Sequence, residues 1–183
     1  MNTRHLILDR DGVLNREAPE HGYILSWAEF HWLPGALEAL ALMHGAGIRL
    51  SVASNQSAVG RGLMDLAQLE HIMAQMRAQA AAAAGPIDAV FYCPHAPEDD
   101  CDCRKPRPGL LTAAVMASGI APGLTLFAGD DVRDVEAAQA AGVAPVLLRT
   151  GKGAHAAAEL RNRGFTVPIY DNLLHLAREL THP

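Results

Sequence analysis

The sequence predicts an α/β fold, a doubly wound parallel sheet of the Rossmann-like kind, and three observations carry that prediction. Short apolar runs alternate with helical patterns along the whole chain, the order that gives a parallel sheet covered on both faces. Half of the residues are apolar and only 5% are aromatic, so many closely packed helices should surround a substantial core. A length of 183 residues, with no internal repeat and no Gly/Pro-rich linker, argues for one domain over residues 1–183.

The elements follow in order. His5 to Leu8 reads as a buried strand, too short for a helix and ended by acids. Pro34 to Met43 reads as a helix: Pro34 suits a first turn, Leu37, Leu40 and Ala41 give the helical spacing, and Gly45 and Gly47 stop it. Arg49 to Ala53 is the next strand, and Asp65 to Ala84 a long helix capped by Asp65 and closed by Gly85-Pro86. Ala89 to Tyr92 and Thr125 to Ala128 are strands, with a helix over Pro108 to Ser118 between them. A helix over Asp134 to Ala141, a strand at Pro145 to Leu148, a weak strand at Thr166 to Ile169 and a terminal helix from Asn172 complete the chain.

Composition narrows the partners. Against 15 basic residues stand 20 acidic ones, a net charge of −5, which disfavours nucleic acid as a bulk electrostatic partner. No apolar run approaches the roughly 18 residues of a membrane span, and no secretory pattern opens the chain. A cytoplasmic monomer acting on a small molecule is expected. The three cysteines all fall between Cys93 and Cys103, a clustering that points to metal or catalysis rather than to a disulfide framework.

In doubly wound sheets ligands sit beyond the carboxyl ends of the strands. Polar residues collect there: Asp9 and Asp11 after the first strand, Ser54 and Asn55 after the second, Cys93 after the third, Asp130 after the fourth. Two carboxylates at positions 9 and 11 point to one side if the chain is still extended. Their repulsion calls for a cation or a shared proton, and a hard ion such as Mg²⁺ suits oxygen ligands. Ser54-Asn55-Gln56-Ser57 supplies a hydroxyl and amides able to hold a phosphate oxygen. Arg104 and Lys105 add two cations beside the cysteines, and Gly129 to Asp134 adds acids at a strand end, where helix capping accounts for Asp134.

DxDG, then SNQS, then the Lys of CRKP, then GDxxxD resembles the four-motif order of the haloacid dehalogenase-like phosphatases, over nearly the whole chain. Within that family the sequence is most similar to the capless heptose-bisphosphate phosphatase branch. The features that carry this are DRDGVLN, the loop Glu20-His21-Gly22-Tyr23, SNQS followed by Arg61-Gly62, CPH with CDCRKP, and Arg149 to Lys152. The resemblance implies Asp9 as nucleophile and Asp11 as general acid and base. It implies Mg²⁺ held by Asp9, the backbone carbonyl of Asp11, and Asp130, with Ser54 and Lys105 steadying the transferring phosphoryl group. Arg104 would recognise the substrate, a phosphorylated sugar, within a site lined by Arg10, Glu20, His21, Gly22, Tyr23, Asn55, Gln56 and Ser57. The expected reaction removes the C7 phosphate of a heptose 1,7-bisphosphate through an aspartyl-phosphate, a step towards nucleotide-activated heptose for surface glycans.

The pairs Cys93/His95 and Cys101/Cys103 match the zinc loop of that branch. Three sulfurs and one imidazole make a closed tetrahedral set with no open position, so Zn²⁺ is expected to be structural and to pin Arg104 and Lys105 at the site. Two departures stand out. Ser54 replaces the family's Thr and keeps its hydroxyl. Asp131 stands where members often carry Lys, which adds negative charge beside the expected metal. Histidinol-phosphate phosphatases share the metal loop and DRDG and remain the nearest alternative. A receiver-like phospho-acceptor and a non-catalytic zinc-binding protein are the alternatives of other classes. Trp27, Phe30 and Trp32 are expected to pack against the insertion after the first strand.

Overall fold

In the computed structural model, which describes residues 3–18 and 22–181, six parallel strands form one sheet in the order β3-β2-β1-β4-β5-β6. The strands are β1 (His5–Leu8), β2 (Arg49–Asn55), β3 (Ala89–Cys93), β4 (Thr125–Gly129), β5 (Ala144–Leu148) and β6 (Ile169–Tyr170). The helices are α1 (Ala36–Gly45), α2 (Leu66–Ala83), α3 (Gly109–Ser118), α4 (Val132–Ala140), α5 (Gly153–Asn162) and α6 (Leu173–Thr181). The chain runs outward from β1 to β3, then returns to the other side of β1 with β4. That reversal puts the switch point between β1 and β4, where a doubly wound sheet opens its crevice.

Alternation along β1 divides the core. Leu6 and Leu8 join one apolar cluster with Leu50 and Val52, covered by α1, α2 and α6 through Leu40, Met43, Ile72, Met76 and Leu176. Ile7, with Ala53 and Phe127, faces the opposite cluster, covered by Leu110, Leu111 and Ala114 of α3 and Ala137 and Ala138 of α4. Because β1 is buried on both faces, it runs apolar from Leu6 to Leu8 rather than alternating.

The structure corrects several element boundaries. Helix α1 begins after Pro34, with Gly35 as its cap at φ 78°. Helix α4 begins at Val132, because Asp131 and not Asp134 is the cap; its side chain accepts from the Arg133 N–H at 3.0 Å. Helix α5 was not legible, since its buried stripe is mostly small, Gly153, Ala156, Ala157 and then Leu160. The weak strand lies later than expected, at Ile169–Tyr170. Asp65 caps α2 as expected, accepting from Gln68 N–H at 2.7 Å. Trp27 stacks on Phe30 at 4.7 Å and Trp32 meets Phe30 edge-on at 5.1 Å, closing the insertion over the first core.

Candidate active site

The carboxyl ends of β1, β2 and β4 open into a cavity of about 270 Å³. Asp9, Asp11, Ser54, Asn55, Gln56, Ser57, Arg104, Lys105 and Asp130 all line it, together with Arg10, Gly22 and Tyr23. Glu20 and His21 lie outside the described residues. Ile24, Glu17, Asp131, Arg133, Asp134 and Lys152 complete the lining; sequence reasoning gave none of these six a binding or catalytic role.

Asp9 sits at the centre. The chain is fixed there by its backbone N–H, which donates to the Ala128 carbonyl at 2.9 Å. One carboxylate oxygen lies 2.9 Å from Lys105 Nζ, and the other accepts from the Arg10 N–H at 2.7 Å. Lys105, 2% exposed, also lies 2.7 Å from Asp134 Oδ1. Asp9, Asp130 and Asp134 offer carboxylate oxygens all within 4.8 Å of one another. Burial raises the pKa of Asp9 to about 6 against the pull of Lys105, with Asp134 and Asp11 adding to the rise. Burial, then Asp9 and Asp134, push Asp130 up to about 8. The acids outnumber their cation, and the group is short of positive charge.

Two glycines shape the walls around Asp130. A Cβ on Gly12 would stand 2.1 Å from Asp130 Oδ2, and one on Gly151 2.0 Å from the same oxygen. Both have left-handed backbones, at φ 81° and 54°, so glycine suits each position on two counts. Asp130 Oδ2 also accepts from the Lys152 N–H at 2.8 Å. Asp134, read from sequence as a cap, lies three positions after the cap and has another part. Its Oδ2 accepts from the N–H groups of Asp130 and Asp131 at 3.1 and 3.0 Å while its Oδ1 faces Lys105. The spacing GDxxxD was the available signal.

The Asp11 carboxylate is held by a different set of groups. Arg10 grips it through Nη2 at 2.9 Å to both oxygens and Nε at 3.2 Å, while Asn15 and Gln56 each donate at 2.9 Å. Burial disfavours its charge, but Arg10 and these donors outweigh it and hold the carboxyl below its usual range. Arg10 itself is completely buried, so its guanidinium serves Asp11. Asn55 likewise uses its amide on the backbone of Lys105, donating to the carbonyl and accepting from the N–H, both at 3.0 Å. Both residues are expected from sequence to touch substrate and both line the cavity; their side chains also fix neighbours. Gln56 Nε2 donates to Ser54 Oγ at 2.9 Å, which leaves the Ser54 proton available for an acceptor in the cavity.

The charge at Asp131 is met locally. Arg133 donates from Nε at 3.1 Å and Nη2 at 2.7 Å. Burial opposes ionisation of Asp131, but these contacts bring its pKa down to about 2. The acid that departs from the family pattern therefore brings its own counter-charge.

Beside the cavity, Cys93, His95, Cys101 and Cys103 converge with ligand atoms all within 4.8 Å. Cys101 Sγ lies 3.5 Å from Cys93 and Cys103, and His95 Nδ1 3.5 and 3.3 Å from Cys93 and Cys103. These separations are too long for a disulfide at ~2.05 Å. They approach the edges of about 3.7 Å expected around a tetrahedral ion with ~2.3 Å bonds to sulfur. The loop that carries them runs directly into Arg104 and Lys105.

A HAD-hydrolase-like family model matches residues 102–176. The D-glycero-beta-D-manno-heptose-1,7-bisphosphate 7-phosphatase of Pseudomonas putida is 42% identical over 177 residues, covering 96% of this chain and 98% of that protein. Its Escherichia coli K12 counterpart is 36% identical over 155 residues, 80% of each chain. Among solved structures, the D,D-heptose 1,7-bisphosphate phosphatase of B. bronchiseptica, complexed with magnesium and phosphate, superposes with a TM-score of 0.90 at 36% identity, covering 97% of this chain and 98% of that one. With its acids at the switch point, its buried lysine and relatives at 36–42% identity over 80% or more of its length, the chain belongs to the haloacid dehalogenase-like hydrolase family that includes these heptose-bisphosphate phosphatases.

Proposed function

We propose that this chain is a magnesium-dependent phosphatase that releases the C7 phosphate of D-glycero-D-manno-heptose 1,7-bisphosphate, acting as a cytoplasmic monomer in the supply of nucleotide-activated heptose. The observation that carries the reading is the setting of Asp9, whose carboxylate lies 2.9 Å from the buried ammonium of Lys105 and within 4.8 Å of two further acids.

The residues fit a hard divalent cation. Asp9 and Asp130 offer oxygens, the left-handed glycines keep the space beside Asp130 clear, and the surplus of acids wants a positive charge. The backbone carbonyl of Asp11 completes the protein ligands implied by the family. Bound magnesium supplies the charge that lets a carboxylate approach an anionic phosphate.

Asp9 attacks phosphorus; the bond from phosphorus to the sugar oxygen breaks, and Asp9 carries the phosphoryl group as an aspartyl-phosphate. Lys105 and the Ser54 hydroxyl face the oxygens on which charge gathers. Asp11 hands a proton to the departing sugar oxygen and later takes one from the water that cleaves the acyl phosphate. Arg10, Asn15 and Gln56 keep Asp11 ionised in the free protein, the form needed for the second step. An incoming phosphate dianion favours protonation of the same carboxyl for the first. Arg104, which lines the cavity, would hold the phosphate kept at C1.

The thiol loop fits zinc in a closed, structural set of Cys93, His95, Cys101 and Cys103. A phosphate-release panel with Mg²⁺ tests the function: both anomers of the heptose bisphosphate, histidinol phosphate and fructose 1,6-bisphosphate. The heptose bisphosphate should be hydrolysed with the highest kcat/KM. A higher value on histidinol phosphate would overturn the assignment. The β anomer, named in the relatives, is the expected preference.

A further inference from the structure

Most cations around the cavity are already engaged. Lys105 pairs with Asp9 and Asp134, Arg10 with Asp11, and Lys152 Nζ with Glu17 at 2.6 Å. Among the described lining residues, two guanidiniums keep donors to spare. Arg104 makes one long contact, Nη1 to the His95 carbonyl at 3.4 Å. Arg133 uses Nε and Nη2 on Asp131, which leaves Nη1 and one Nη2 proton for another acceptor.

These two arginines also share a location. Both line the site cavity, and both line a neighbouring hollow of about 300 Å³ bounded by Pro97, Pro106 and Arg107. They therefore stand where the two hollows meet. Arg133 lies on the first turn of α4, three positions after Asp130, and remains 44% exposed. Its alignment is not left to chance, because Asp131 caps α4 and fixes the guanidinium in the same stroke. A guanidinium held by one carboxylate oxygen pair presents its remaining edge in a fixed direction, which suits phosphate better than a swinging ammonium would.

We propose that Arg133, aligned by Asp131, binds the phosphate that the substrate retains, as a second guanidinium beside Arg104. The inference rests on the bisphosphate reading above and deepens it. It assigns Arg133 to specificity, outside the group that handles the transferred phosphoryl oxygens, and it gives Asp131 the part of a positioning residue. Arg104 brings an uncompensated charge, and Arg133, whose charge Asp131 offsets, brings directed N–H donors.

The test compares wild type, Arg133→Ala and the double variant Asp131→Asn/Arg133→Ala on heptose 1,7-bisphosphate and on the 7-phosphate lacking the C1 group. Arg133→Ala should lose about tenfold to a hundredfold more kcat/KM on the bisphosphate than on the monophosphate, mostly through KM. The double variant should keep that differential loss. If it regains wild-type discrimination, Arg133 only neutralises Asp131, and the inference fails. An equal loss on both substrates places Arg133 at the reacting phosphate or in the scaffold and also overturns it. Should wild type itself show no preference for the bisphosphate, the substrate reading falls and takes this inference with it, an outcome visible before any variant is measured.

Discussion

Asn55 and Lys105, fifty positions apart, are locked by a closed pair of hydrogen bonds, amide to carbonyl and N–H to amide oxygen, each 3.0 Å. The carboxyl end of β2 thereby sets the backbone from which the buried ammonium reaches Asp9. Asn55→Ala should lower kcat about tenfold to a hundredfold, since both bonds go and Lys105 loses its alignment. Asn55→Asp keeps the acceptor and should fall between the two. Steady-state kinetics with unchanged kcat in Asn55→Ala would refute the coupling.

Asp11→Asn removes the proton carrier and spares the nucleophile. Turnover should drop steeply, and an aspartyl-phosphate should become trappable with a substrate bearing a good leaving group. Asp9→Asn should abolish both turnover and the covalent species. A variant of Asp11 that alters only KM would contradict the role given to it.

Gly151→Ala places a Cβ 2.0 Å from Asp130 Oδ2 on a backbone at φ 54°. The carboxylate must shift, so the Mg²⁺ concentration giving half-maximal activity should rise at least about tenfold, with a modest fall in Tm. An unchanged Mg²⁺ requirement would show that Asp130 tolerates displacement.

Elemental analysis of protein purified without chelator should find one equivalent of zinc. Cys101→Ser should lower that content and reduce activity by loosening the run into Lys105. Protein free of zinc, yet fully active, would exclude the structural role.

Much of this architecture was legible because each strand of the central sheet is a short apolar run ended by a polar residue, and because the carboxyl ends gather the chemistry. Sequence alone could not separate contact from support. Arg10 and Asn55 look like phosphate ligands in a string of letters, and what the letters do not show is that burial ties one to Asp11 and register ties the other to the Lys105 backbone. Asp134 was hidden for the opposite reason, since a capping position explains an acid fully until the partner from position 105 arrives. Arg133 carried no local signal at all; its meaning depends on Asp131 beside it and on Arg104 across the cavity. Helix α5 was missed because small residues bury without a periodic bulky stripe.

Far from the site, His5 is fully buried, with Nε2 3.0 Å from Ser51 Oγ. Burial, aided by Arg49, lowers its pKa from 6.5 to about 4. The unfolded chain takes up this proton before the folded one does. Stability from this group is therefore complete above pH 6.5 and is lost as pH falls towards 4, by roughly 3 kcal/mol in total. Urea melts of wild type and His5→Gln across that range should show a shallower pH dependence in the variant; parallel curves would remove His5 from the account.

The strand order has a mechanical consequence. Strand β3, which ends in Cys93, is held by a single ladder to β2, while β1, which leads into Asp9, is held on both sides by β2 and β4. Detaching the margin of the sheet costs fewer bonds than parting its middle, so the thiol loop is positioned to open as a separate cooperative unit. On gentle heating or chelation the enzyme should go silent while most of its backbone amides stay protected from exchange, and restoring the metal should reseat the lysine without refolding the chain.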